Sequence, residues 1–234
     1  MIALLVAAAV TATLPPAPAR SPVAATTSPA VIVARYGAAL KTLHEPRVFT
    51  VEYTLVQTGT RTLEQTHRIF RSGADERDET LAVNGTRSTS PVVRIFRRRP
   101  YRYTVAALGP KPAAYTFTFS GPHRDGKHVD YVFDLTPKDK APRAFTFTQV
   151  TIDGVTFLPS AIAFVTGAHG GRGSVTFGKS DRFWVARSAA AQATVPGGIA
   201  RERLAFARWR FPAALPASTF SAPRPLMTAS PAVP

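Results

Sequence analysis

From Phe49 the chain alternates. Phe49, Val51, Tyr53 and Leu55 fall on one side of an extended backbone, with Thr50, Glu52 and Thr54 on the other. Successive side chains of a strand change face, so the pattern predicts a strand with one buried and one wetter side. Thr58-Gly59-Thr60 supplies the reversal, because glycine accepts the positive φ of a tight turn. The return run, 62–71, carries Leu63, Ile69 and Phe70 and forms the predicted partner strand. The same period returns at 113–120 (Tyr115, Phe117 and Phe119 on one face), 129–135, 144–152 (Phe145 and Phe147), 161–166 and 203–211, the last anchored by Leu204, Phe206 and Trp209.

Other segments give weaker signals. An acidic run, Asp75 to Glu79, precedes a short predicted strand at 80–83, and Asn84-Gly85 is a hairpin-turn pair. Strands are expected at 91–96 and 101–107, flanking a basic turn, Arg97-Arg98-Arg99-Pro100. Loops are expected at 121–127, 137–142 and 167–173, and short strands at 155–158, 174–177 and 183–187. Between 189 and 200 the residues are small and periodicity disappears.

A different period precedes the strands. Ile32, Val33, Tyr36, Leu40 and Leu43 recur at helical spacing, with Ser28 as N-cap and Pro29 at the first helical position. This predicts an amphipathic helix over 29–43, closed by Pro46 and lying across the sheet. One helix followed by many strands on short turns gives a mainly β (α+β) fold, a strongly curved antiparallel sheet rather than a parallel α/β design.

Composition adds a compartment. The run IALLVAAAVTATL is shorter than a membrane span, ends at Pro15-Pro16 and leads to Ala17-Pro18-Ala19. Residues 1–19 are therefore read as an export signal cleaved near Ala19, with an uncleaved anchor as the alternative; no Lys or Arg precedes the apolar run. Residues 20–28 form a Pro/Ala/Thr linker, 29–220 a single β domain and 221–234 a Pro-rich tail. The chain has no cysteine, which excludes disulfides, thiolate metal sites, a cysteine nucleophile and an N-terminal lipid-modified cysteine. The net charge of +15 comes from 23 Arg and 6 Lys against 14 acids. Such an excess suits nucleic acid, anionic lipid or an acidic partner; export argues against nucleic acid.

No segment carries a catalytic signature. His123, Asp125, His128 and Asp130 lack strong metal-ligand spacing and sit among Arg124 and Lys127, so they read as solvated loop charges. Asp75, Glu76, Asp78 and Glu79 lack the spacing of a calcium loop and read as a surface turn paired with Arg71, Arg77 and Arg87. Ser174 is not in a G-x-S-x-G elbow, and Gly170, Gly171 and Gly173 make no dinucleotide fingerprint. No cofactor and no metal are expected. The constellation worth following is Arg94, Arg97, Arg98, Arg99 and Arg102 beside Tyr101 and Tyr103, which can meet a phosphate, a lipid headgroup or an acidic partner, the alternative being a solvated strand edge that discourages aggregation.

The export segment, the helix over 29–43 and the opening meander VFTVEYTLVQTGTRTLEQTHRIFR together resemble the periplasmic lipoprotein-carrier (LolA/LolB-like) superfamily, of the outer-membrane lipoprotein-sorting type. FRRRPYRY at 96–103, YVFDLTP at 131–137, VTIDGVTFLPS at 150–160 and RWRFPAALPASTF at 208–220 are similar in style. The resemblance implies an unclosed half-barrel, lidded by helices, that takes up acyl chains without catalysis. It implies a monomer whose partners are lipid or lipoprotein acyl chains, or an envelope protein or membrane surface. The candidate ligand-binding residues are Tyr53, Arg99, Tyr101, Arg102, Tyr103, Tyr115, Phe117, Phe119, Phe145 and Phe147. A sensor or adaptor that binds an acidic protein through its basic surface is the alternative.

Overall fold

A computed structural model of the chain describes residues 27–59, 61–139, 145–166 and 170–221. The expected signal segment, all of the linker but Thr27 and Ser28, and the tail beyond 221 lie outside the described residues.

Helix α1 spans Pro29–Thr42, and the Ser28 hydroxyl caps it by accepting from the Val31 amide, as the sequence predicts. Eleven strands follow: β1 (Val48–Thr58), β2 (Leu63–Ser72), β3 (Asp75–Val83), β4 (Thr86–Phe96), β5 (Tyr115–Asp125), β6 (His128–Pro137), β7 (Phe145–Asp153), β8 (Pro159–Thr166), β9 (Arg172–Ser180), β10 (Phe183–Val195) and β11 (Gly198–Arg210). A four-residue helix, α2 (Val105–Leu108), sits between β4 and β5, and a 3-10 turn at Ala217–Phe220 ends the described chain. All pairs are antiparallel, in the order β4-β3-β2-β1-β11-β10-β9-β8-β7-β6-β5. Two meanders are joined where β1 pairs with β11. Edges β4 and β5 do not pair, so the sheet is an unclosed half-barrel: the antiparallel sheet is what the strand pattern predicts, and its open form is what the resemblance implies.

That topology gives one segment a special task. Residues 97–114 leave one edge at β4 and must reach the other at β5, so they cross the face of the sheet. They do this as a strap carrying Tyr101, Tyr103, Val105 and Leu108, all packed into the core cluster or against it. The expected strand at 101–107 is thus replaced by this strap and α2. Its alternation was real, but the aromatics pack down onto strands instead of pairing with one: Tyr101 lies 5.1 Å from Phe49 and Tyr103 5.1 Å from Phe206. Glu45 fixes α2 by accepting from the Ala106 amide at 2.7 Å, and the Thr104 hydroxyl accepts from the Ala107 amide. At Gly109 a Cβ would stand 2.7 Å from the Val105 carbonyl and 3.1 Å from Leu40, so only glycine lets the strap pass beneath α1.

Helix and strap cover one continuous core. Ile32 and Tyr36 of α1 are fully buried and join Phe49, Val51, Phe133, Val150, Ile152 and Ile162 in it. The Tyr36 ring packs 5.7 Å from Phe117, and its hydroxyl donates to the Pro110 carbonyl of the strap at 2.9 Å.

Bulges explain where simple alternation fails. On β11 an extra residue opposite Thr50–Glu52 places Arg208 at φ 52°, and this returns Trp209 to the inner face that Leu204 and Phe206 occupy. On β7 the shift between Phe147 and Gln149 does the same for Val150. The hairpin at Asn84-Gly85 has φ of 48° and 77°, the two positive values of the predicted turn.

Four further expectations are corrected. The loop at 121–127 shrinks to Gly126-Lys127, because β5 continues to Asp125 past a bulge at Ser120. Residues 155–158 form a turn, not a strand, with Val155 projecting into solvent. The acidic run belongs to strand β3, whose charges find cross-strand partners. The aperiodic stretch 189–200 is the β10–β11 hairpin at the heart of the sheet. Ala186 and Ala189 of β10 are buried, and α2 lies against this strand.

The outer face carries an ionic bridge across three strands. Glu52 receives Arg68 of β2 at 2.7 Å and Arg208 of β11 at 2.5 Å. Burial pushes this carboxyl up, but the two guanidiniums outweigh burial and hold it below its ordinary value. The bridge therefore contributes stability above the unfolded carboxylate pKa, and that contribution is lost as pH falls through the lowered folded value. In Glu52→Gln this part of the acid limb should flatten in urea midpoints taken from pH 7 to 3, an effect of about 1 kcal/mol at most. Identical acid limbs in parent and variant would show that the bridge contributes nothing. Among the described residues no helix is long and apolar enough to cross a membrane.

Candidate functional site

A hollow of about 1150 Å³ lies between α1, the strap and edge strand β5. Its helical wall is a row of small residues, Ala30, Ala34 and Ala38, at four-residue spacing and exposed, on a face distinct from the one that buries Ile32 and Tyr36. Its floor is aromatic: Tyr115 and Phe117 of β5, with Phe133 of β6 behind them. The missing bulk on the helix is what opens the groove, and the aromatic floor is what makes it apolar. Ligand pockets commonly measure about 300–1,000 Å³, so this one has room for a drug-sized apolar body or a long tail.

A second hollow of about 170 Å³ lies beneath the strap and has a polar wall. On β2 the inner face reads His67, Ile69, Arg71, because Tyr53 pairs with His67 and sets the parity. Opposite, β3 contributes Glu76, Asp78 and Thr80. His67 stacks on Tyr53 at 4.7 Å, and its Nδ1 meets Asp78 Oδ1 at 2.8 Å. Glu76 Oε2 accepts from Arg71 at 2.9 Å and Oε1 from Arg99 at 3.1 Å, while Arg71 also donates to the Arg99 carbonyl. Burial raises the Tyr53, Tyr101 and Tyr103 phenols, so all three stay protonated. The Tyr101 hydroxyl is buried and has no hydrogen-bond partner among the described residues. His67 Nε2 also lies 3.4 Å from Gln65 Oε1, so the ring links β3 to its own strand β2.

The sequence candidates divide between these places. Tyr115 and Phe117 line the large hollow; Tyr53, Arg99, Tyr101, Arg102 and Tyr103 line the small one. Phe119, Phe145 and Phe147 belong to the lining of neither and pack on Phe133, Phe164 and Tyr115 respectively. The arginine constellation is dispersed: Arg97 binds Asp75 and the Phe220 carbonyl, and Arg99 joins Glu76 and covers the Phe96 ring at 4.0 Å. The expected surface turn at Asp75–Glu79 is corrected here as well, since Glu76 is buried with Arg71.

His128, Asp130 and Asp153 are the one cluster of metal-ligating type among the described residues, and the sequence paired the first two with His123 and Asp125 instead. His128 Nε2 lies 2.9 Å from Asp130 and 3.0 Å from Asp153. The remaining carboxylate oxygens are also engaged: Ser160 donates to Asp130, and the Val155 and Thr156 amides with the Thr156 hydroxyl donate to Asp153. His128 with Asp153 and Ser160 with Asp130 tie β7 and β8 to β6, while the other contacts lie within β6 or within the β7–β8 turn.

What the sequence missed is the helical wall. A wheel of 29–42 puts Ala30, Ala34 and Ala38 together, and that small-residue row was available as a signal once Ile32 and Tyr36 were assigned to the core.

No protein-family model matches the chain, and no curated protein matches it. Among solved structures the chain is similar to a DUF1329 family protein from Desulfovibrio piger, at 10% identity and TM-score 0.46, covering 83% of this chain and 98% of that one. It is similar to a LolA superfamily protein from Nitrosomonas europaea, at 12% identity and TM-score 0.41, covering 84% and 98%. It is similar also to a putative outer membrane lipoprotein-sorting protein domain from Vibrio parahaemolyticus, at 15% identity and TM-score 0.42, covering 81% and 94%.

Proposed function

We propose that this chain is an exported, non-catalytic binding protein that holds an acyl chain, of a lipid or a lipoprotein, between α1 and β5. The observation that carries the reading is the hollow of about 1150 Å³ walled by Ala30, Ala34 and Ala38 and floored by Tyr115, Phe117 and Phe133. The alanine wall and aromatic floor of this groove shield methylenes from water. Burying a CH₂ group yields about 0.8 kcal/mol, so ten of them give ~8 kcal/mol. That gross figure corresponds to a Kd of about 1 μM before ordering costs are subtracted. The resemblance of the opening meander to lipoprotein carriers supports the same use of the fold.

The test is native mass spectrometry of the protein purified from its host, followed by denaturing lipid extraction of the same sample. A species of lipid mass released on unfolding is the expected result. A clean apo mass that ignores added lipid would move the reading to an envelope adaptor that binds an acidic protein. The groove itself is tested by Ala34→Trp. Ala34 is exposed, so an indole there projects into the groove without entering the core, and tryptophan costs an α-helix under about 1 kcal/mol. Affinity for a fluorescent acyl probe should fall at least tenfold while the thermal midpoint stays close to the parent's. Unaltered probe affinity would place the acyl chain elsewhere.

A further inference from the structure

The large hollow is chemically polarised. Its lining contains three lysines, Lys41, Lys111 and Lys138, and no acidic side chain. The chain has 23 arginines and only 6 lysines, yet half the lysines and no arginine line this groove. The three also share one end. A Cβ on Gly37 would lie 3.5 Å from Pro112, so the strap touches α1 there. Lys41 is one helical turn beyond Gly37, Lys111 precedes Pro112, and Lys138 Nζ donates to the Pro112 carbonyl at 2.9 Å. From Ala30 to Lys41 the helical wall runs ~16 Å, so a charged end and an apolar end are separated by the length scale of an acyl tail.

We propose that the groove selects a long-chain fatty carboxylate, its tail laid along Ala30, Ala34 and Ala38 and its anionic head among Lys41, Lys111 and Lys138. This rests on the acyl-binding reading above and adds the head group to it. Three exposed lysines on one lining, with no acid among them, give this groove a positive potential that an anionic head group meets favourably. The C-terminal end of α1 opposes an anion with about half a negative charge, and Asp139, which follows Lys138 in the chain but lies outside the lining, adds one more. Three ammoniums exceed both together. A single groove alongside one helix suits one chain, and a fatty carboxylate is the simplest one-chain amphiphile with an anionic head; the lysines are flexible point charges that select the head by charge and not by a planar fork.

The experiment is isothermal titration at low salt with three ligands of equal acyl length: dodecanoate, its uncharged monoacylglycerol, and the lauroyl lysophosphatidylglycerol. Dodecanoate is expected to bind at least tenfold more tightly than the monoacylglycerol, and the preference should shrink at high salt. In K41M/K111M/K138M dodecanoate should weaken about tenfold, to the level of the monoacylglycerol, with the thermal midpoint reporting that the variant folds. Equal affinities in the parent would overturn the head-group assignment and leave acyl binding standing. A preference that survives the triple substitution would overturn the role of the lysines. Tighter binding of the lysophospholipid than of dodecanoate would overturn the carboxylate in favour of a lipid phosphate. Failure of all three ligands to bind would remove the acyl reading itself, and this inference with it.

Discussion

Replacing Glu76 with alanine should destabilise the protein by about 3–5 kcal/mol, the range for removing one partner of a buried ion pair. Arg71 is 5% exposed and Glu76 4%. Both Glu76 oxygens are occupied, by Arg71 at 2.9 Å and Arg99 at 3.1 Å. Without the carboxylate, Arg71 keeps its bond to the Arg99 carbonyl and its stacking over Tyr101 at 5.5 Å, but its charge stays underground with no counter-charge. The interaction is also the clamp by which β2 and β3 hold residues 97–101 of the strap. Urea unfolding should show the loss, and limited proteolysis should cut Glu76→Ala within the strap sooner than the parent. The double variant Arg71→Met/Glu76→Leu should recover most of the stability, because it removes both desolvation costs at once. A single-variant loss below about 1 kcal/mol would mean that water or a rearranged strap reaches Arg71, and the clamp would then be without weight.

That clamp also marks where the sequence stopped being readable. The hairpin β1–β2 was legible because Phe49, Val51 and Tyr53 alternate with polar residues and Gly59 ends the run. Helix α1 was legible because its cap and its apolar spacing agree. In β3, by contrast, DERDET has no apolar residue to betray a buried face, since the groups turned inward are Glu76, Asp78 and Thr80. Patterning rules assume that burial is apolar; here burial is ionic, and only the partner strand reveals it. The 189–200 hairpin was hidden for the opposite reason. Its residues are small and, apart from Ala189, exposed or half-buried, so no buried face is written in their hydropathy. The candidate site fell between the two cases: Tyr115 and Phe117 were found as aromatics, while Ala30, Ala34 and Ala38 line the hollow by their lack of bulk, which no hydropathy pattern records.

The same helix sets the second large effect, at Tyr36. Tyr36→Ala should cost about 3–5 kcal/mol, as for other fully buried aromatic rings truncated to alanine, and Tyr36→Phe about 1–3 kcal/mol for the unsatisfied carbonyl it leaves. The ring is fully buried against Phe117, and the hydroxyl donates at 2.9 Å to Pro110, itself fully buried. One side chain thus ties the helical wall of the groove to its aromatic floor and to the strap that closes one end. Loss of the ring removes the largest of the two fully buried side chains by which α1 is seated, Ile32 being the other. A helix of 14 residues has little stability of its own in water, so undocking should also be unfolding, confined at first to α1. Hydrogen exchange reads this directly: amides of α1 in Tyr36→Ala should lose protection while those of β1, β10 and β11 keep theirs. Acyl-probe affinity should fall in step, because a groove whose wall is mostly open must be re-formed before it can bind. Uniform loss of protection across the whole sheet would mean that helix and sheet unfold as one unit. Protection of α1 equal to the parent's would show that Ile32 and the capped first turn suffice to hold the wall.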